Sequence, residues 1–189
     1  MLFRSAELQK AIDLANSGQH DAAIAAYQAI LTKTPALTMI NGQIAQVQRL
    51  KKDYDGAIAS YQKVLAGDPN NDKAKIEIGM TYLEKGDYAA AEKSLLEVAT
   101  SVNANREVFY NLGEVKFAKG ETDEAVKYYE RAAQMDTAWG KPLFKLGLAK
   151  LQKADTAGAI DYMNKVIAAD PNSAEAAQAK ALIEQLKKG

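Results

Sequence analysis

The chain aligns to itself at a constant spacing of 34 residues, with no insertion or deletion, and few folds satisfy that constraint. Units begin at Arg4, Thr38, Asp72, Arg106 and Gly140, and a partial sixth begins at Ala174. A periodic chain of this kind builds one small supersecondary unit repeatedly, and each copy buries its apolar face against the next. Within the period, residue types form columns. Ala23, Ala57, Ala91, Ala125 and Ala159 share one position, and Tyr27, Tyr61, Leu95, Tyr129 and Met163 share another. A third holds Ile30, Val64, Val98, Ala132 and Val166. Steps of three and four residues between these columns place them on one helical face. The invariably small column lets a neighbouring backbone come close, so Ala91 and Ala125 are expected at close helix contacts.

Earlier in each unit come Ile44, Ile78, Leu112 and Leu146, with Lys10 in that place in the first unit. Directly after them lie Ala11, Ala45, Gly79, Gly113 and Gly147. Gly18, Gly86 and Gly120 mark the break between two helices of a unit, where a left-handed residue ends a helix cheaply. Pro35, Pro69 and Pro171 stop the second helix. The pattern predicts first helices near 5–17, 38–51, 72–85, 106–119 and 140–153, and second helices near 20–33, 54–67, 88–101, 122–135 and 156–168. Pro142 falls in a first turn, where its missing N–H costs little. Residues 174–187 form one more helix, with Ala179, Leu182, Ile183 and Leu186 on the face that covers the last unit. That cap is what a natural C-terminus requires; the N-terminus shows no counterpart and is expected to have lost one.

Several stretches carry a family resemblance. Asn111-Leu112-Gly113, Gly86-Asp87-Tyr88, and the run Tyr54-Asp55-Gly56-Ala57-Ile58 through Tyr61 to Asp68-Pro69 resemble the tetratricopeptide repeat consensus, over essentially the whole chain. Departures are local: Lys10 replaces an apolar residue, Asn103 and Thr137 stand where proline is usual, and Lys52 and Ala154 replace the turn glycine. The resemblance implies an all-α, right-handed α-solenoid of five tandem helix–turn–helix repeats (4–37, 38–71, 72–105, 106–139, 140–173) with a capping helix at 174–189.

Composition narrows the function. Lys+Arg and Asp+Glu balance at 24 each, so no whole-chain field attracts nucleic acid or anionic lipid. Cysteine is absent and His20 is the single histidine, which removes thiolate chemistry, two-histidine metal sites and most acid–base arrangements. No apolar run reaches the ~18 residues of a membrane span. The segment Met1-Leu2-Phe3-Arg4-Ser5 lacks the apolar core of a secretion signal, which fits a cytoplasmic protein, or a periplasmic or secreted one whose signal was trimmed. Phosphate loops, zinc-protease helices and calcium loops are likewise missing from the sequence, so neither an enzyme, a metal nor a cofactor is expected.

In the family that the chain resembles, first helices line a concave groove in which partner segments lie. The corresponding residues here are Ile76, Met80, Tyr110, Asn111, Phe117, Lys141, Phe144, Lys145 and Leu148, with Met39, Gln43, Gln46, Lys73 and Glu114 beside them. Ile76, Met80, Tyr110, Phe117, Phe144 and Leu148 make an apolar track of the kind that anchors interfaces, and each is equally a candidate for packing between helices. The family's carboxylate clamp matches only Asn111, Lys141 and Lys145. Ile76 and Met80 replace its other Lys and Asn, and a Lys stands for the Arg whose bidentate fork it cannot copy. The expected function is therefore a non-catalytic scaffold holding a peptide or amphipathic helix of another protein. The alternatives are a homodimerisation module, or the assembly arm of a larger multi-domain protein.

Overall fold

The computed structural model describes residues 2–101 and 104–188, with side chains from Ala6 onward. Asn103, expected in place of a turn proline, lies outside the described residues, as do Met1 and the side chains of residues 2–5. Eleven helices are the regular elements of the described chain: α1 (Leu2–Asn16), α2 (His20–Lys33), α3 (Ile40–Leu50), α4 (Tyr54–Gly67), α5 (Asp72–Lys85), α6 (Tyr88–Ala99), α7 (Arg106–Ala118), α8 (Thr122–Met135), α9 (Gly140–Gln152), α10 (Thr156–Ala169) and α11 (Ala174–Leu186). Two compact units divide inside α6, Met1–Ser94 and Leu95–Gly189. In the first, consecutive helices from α1 to α5 pack pairwise; in the second, consecutive helices from α7 to α11 do so, and α11 also reaches α9.

Local chemistry explains where these helices begin and end. Asp53, Asn71, Asn105, Asp155 and Ser173 cap α4, α5, α7, α10 and α11, each accepting a hydrogen bond from a backbone N–H of the first turn. Every described first helix of a full repeat ends in the same pair of bonds. In the second repeat the Lys52 N–H donates to the Arg49 carbonyl and the Asp53 N–H to the Gln48 carbonyl, a Schellman closure built around a left-handed residue. Gly18, Gly86 and Gly120 occupy that residue at φ 75°, 86° and 77°. Lys52 and Ala154, the two departures from glycine, adopt it all the same at φ 60° and 58°. Packing of the flanking helices overrides a local cost of ~1–2 kcal/mol for a side chain in this region. Replacing Ala154 with glycine is accordingly expected to stabilise the second unit by about 1 kcal/mol and raise the melting temperature by ~2–4 °C. A fall on thermal denaturation would contradict the left-handed backbone.

Thr137 in place of proline leaves the end of α8 intact, because the stop comes from the residue before it. Asp68, Asp136 and Asp170 leave helical geometry, and their carboxylates accept from the N–H two residues on, at 3.3, 3.0 and 3.1 Å. The expected start of the third helix at 38 shifts to Ile40. Thr38 and Met39 sit in a tighter entry turn, where the Asn41 side-chain amide donates to the Thr38 carbonyl at 3.0 Å.

The columns are the core. Ala23, Ala57, Ala91, Ala125 and Ala159 are completely buried, and all five residues of the tyrosine column are buried. In the first unit Tyr27 and Ile30 pack with Ile40, Ile44 and Val47, while Tyr61 packs with Ala45, Ala57 and Ile78. In the second, Tyr129 packs with Ala125 and Leu146, and Met163 and Val166 pack with Ala179 and Ile183 of α11. Lys10, which breaks its apolar column, is exposed.

Candidate functional site

Each first helix turns one face to its second helix and keeps another for neighbours or ligand. In the first unit, Ile76 on α5 is buried, at 5% exposure, whereas Met80 is half-buried. Between α3 and α5 lies a cleft of about 220 Å³. Met39, Gln43 and Gln46 of the α3 region and Lys73 of α5, all expected to face a partner, line it. Its wall also includes Tyr61 and Glu77, and these belong to a partly buried polar chain. Arg49 donates to the Glu77 carboxylate at 2.5 Å and approaches Glu84 at 3.4 Å, while the Tyr61 hydroxyl donates to Glu77 at 3.4 Å. Burial, then the negative Glu77, pushes the Tyr61 phenol well above its ordinary pKa, so it stays a donor. Desolvation works against the Arg49 charge, but Glu77 and Glu84 more than offset it and hold the guanidinium above its usual value.

In the second unit the expected residues divide into three groups. Tyr110 and Phe117 are half-buried against Ala125, Tyr129 and Leu146. The Tyr110 ring lies 5.8 Å from that of Tyr129 and 5.1 Å from Trp139, over which Arg106 sits at 4.7 Å. Phe144 and Leu148 are half-buried against Met163, Val166, Ala179 and Ile183, so they help to dock α11. Polar residues make up the third group. Glu114 accepts from the Tyr129 hydroxyl at 2.5 Å and from the Lys145 ammonium at 2.8 Å, which engages one of the two lysines expected to meet an acidic ligand. Burial and then Glu114 raise the Tyr110 phenol above its ordinary value. Lys141 is exposed. Asn111 is only 6% exposed, and its side-chain amide makes no hydrogen bond among the described residues.

Sequence reasoning missed the pairings Arg49–Glu77 and Lys145–Glu114, which join residues 28 and 31 positions apart. It also missed the α3–α5 cleft, whose only signal is one residue out of keeping with its column.

Comparison with known proteins places this arrangement. Residues 8–72 and residues 48–112 each match a family model described as a tetratricopeptide repeat. Residues 91–189 match a model described as an uncharacterised protein C-terminal domain. The chain belongs to the tetratricopeptide repeat family and, over its second half, to the family of that C-terminal domain. No curated protein matches the sequence. Several solved structures share the fold. MamA from Desulfovibrio magneticus RS-1 is 19% identical with a TM-score of 0.72, over 90% of this chain and 97% of that one. The pilF protein of Pseudomonas aeruginosa is 18% identical with a TM-score of 0.75, over 97% and 88%. YrrB, described as a TPR protein with an unusual peptide-binding site, is 18% identical with a TM-score of 0.63, over 93% and 90%.

Proposed function

We propose that this protein is a non-catalytic scaffold whose first helices bind a segment of another protein. The observation that carries the reading is Asn111. A polar group that a ligand covers must be hydrogen-bonded by it, because losing water without a replacement costs ~1–3 kcal/mol. Asn111 sits on the first helix of its repeat at 6% exposure, and its amide bonds no described residue. No buried side-chain N or O among the described residues lacks a partner, so both its donor and its acceptor open to solvent from a recessed position where a ligand can take them. A peptide backbone offers both in one plane. Lys141, exposed on α9, supplies the positive charge that Lys145 has already given to Glu114.

Selection of a random peptide library on the full chain tests this. Selected peptides are expected to shift the NMR signals of first-helix amides, and Asn111→Ala to weaken them by roughly tenfold without lowering the melting temperature. Shifts confined to the second helices, or undiminished affinity for Asn111→Ala, would overturn the reading.

A further inference from the structure

The cleft between α3 and α5 exists because one position is empty. At the 34-residue period its column reads Leu8, Gly42, Ile76, Tyr110 and Phe144. The four large residues are all packed, Ile76 fully and the others in part. At Gly42 there is no side chain, and the backbone gives no reason for glycine. Gly42 lies inside α3 and is not among the glycines with positive φ. A Cβ added there would meet only Val64 Cγ2 at 3.8 Å, an ordinary contact. Gly42 stands in the first turn of α3, where glycine still gives up more backbone freedom on folding than alanine would.

We propose that the cleft is an anchor site for one tyrosine or tryptophan side chain, next to a carboxylate, in an extended peptide. The proposal rests on the scaffold reading above and names the chemistry of its ligand. At about 220 Å³ the cleft is smaller than the ~300–1,000 Å³ of pockets for cofactors and drug-sized molecules, and suits a single large side chain. Val64 and Ala74 offer it apolar walls, and Met39, 71% exposed, is a flexible thioether able to close on a ring edge. A donor on the ring has an acceptor waiting. Arg49 and Tyr61 both bond Glu77 through Oε2, and Oε1 accepts nothing among the described residues. A phenol O–H or indole N–H satisfies Oε1, whereas phenylalanine would desolvate it without replacement. Lys73, at the wall of the cleft, is exposed and makes no ion pair among the described residues, which selects a neighbouring Asp or Glu on the ligand. Gln43 and Gln46, which line the cleft and whose amides bond nothing among the described residues, are left for the ligand's main chain.

The test is calorimetry on peptides selected from a random dodecapeptide library with the full chain, repeated with Gly42→Phe and Lys73→Glu. Tyrosine or tryptophan beside an acidic residue is the expected motif. Gly42→Phe should weaken those peptides by roughly tenfold or more while melting no lower than the wild type, since it fills the hole from within. Lys73→Glu should remove the preference for the acidic neighbour. Should Gly42→Phe fold poorly, Gly42→Leu, which places the residue of Leu8 in the same column position, makes the same test. Peptides that lack an aromatic residue, or that bind the filled variant equally well, would overturn the anchor site and leave the scaffold reading standing. Failure to select any peptide would overturn both.

Discussion

Tyr129→Ala is expected to cost the second unit about 3–5 kcal/mol, the range for deleting a fully buried aromatic ring. Three contacts converge on this side chain, which has no exposed surface. Its ring packs on Tyr110 with centroids 5.8 Å apart. It also fills the space left by Gly113, where an added Cβ would come within 2.4 Å of Tyr129 Cε1. Its hydroxyl donates to Glu114, which Lys145 also holds. Removing the ring opens a cavity at the centre of the α7–α8–α9 packing and leaves Glu114 with one donor fewer. The fall in melting temperature should be roughly 10 °C or more. Trp139, the single tryptophan, lies against Tyr110, so its fluorescence should report the loss directly. Tyr129→Phe separates the terms: it keeps the ring and forfeits the charge-assisted bond alone, at ~1.5–3 kcal/mol. A Tyr129→Ala protein that melts beside the wild type would mean that the tyrosine column is not core.

That column is legible in the sequence because a strict period puts each position in the same surroundings five times over. Leu95 and Met163 in place of tyrosine stay large, apolar and fully buried, and the pattern survives. Departures at turns were the weaker guide. Lys52 and Ala154 look like broken turns, yet their carbonyls and N–H groups close as the glycine turns do, since the helices on either side fix the backbone between them. Conversely, the late start of α3 goes with a tight turn of i→i+3 backbone bonds at Leu37, Thr38 and Met39, joined by the side-chain bond from Asn41 to Thr38, which no periodicity encodes.

The candidate site was less legible, for a physical reason. A first helix of such a repeat is flanked on two sides, and an apolar residue on it reads the same whether it meets a neighbour or a ligand. Ile76 and Phe144 share a column with Gly42, and the structure gives them different work: Ile76 is buried, Phe144 docks α11, and Gly42 leaves a cleft. Lys145 looked available to a ligand because its partner Glu114 lies on another helix, outside the reach of any rule for charges three or four residues apart. Columns disclose packing; the binding places proposed above rest on the exception within a column and on an amide that bonds no described residue.

Phe144→Glu decides which of those roles the apolar residues of α9 hold. The ring is half-buried against Met163, Val166, Ala179 and Ile183, so the carboxylate replaces apolar contact with α10 and α11 and finds no cation among those neighbours. Partial burial scales the loss below that of a fully buried phenylalanine, to roughly 2–3 kcal/mol. The damage should be local. Amides of α11 (Ala174–Leu186) are expected to exchange with solvent faster by a factor of roughly 30 or more, since their protection depends on docking. Lys141→Glu is the control on the same helix. It is exposed, disturbs no core, and places an acid in the first turn of α9, where the helix dipole favours it, so it should weaken an acidic ligand while leaving melting and exchange unchanged. A Phe144→Glu protein with wild-type melting and exchange but lost peptide binding would reverse this assignment and return the ring to the ligand face. Lowered melting with fast-exchanging α11 would make Phe144 part of the cap's seat, and would leave Asn111, Lys141 and the Gly42 cleft as the surfaces on which a partner is read.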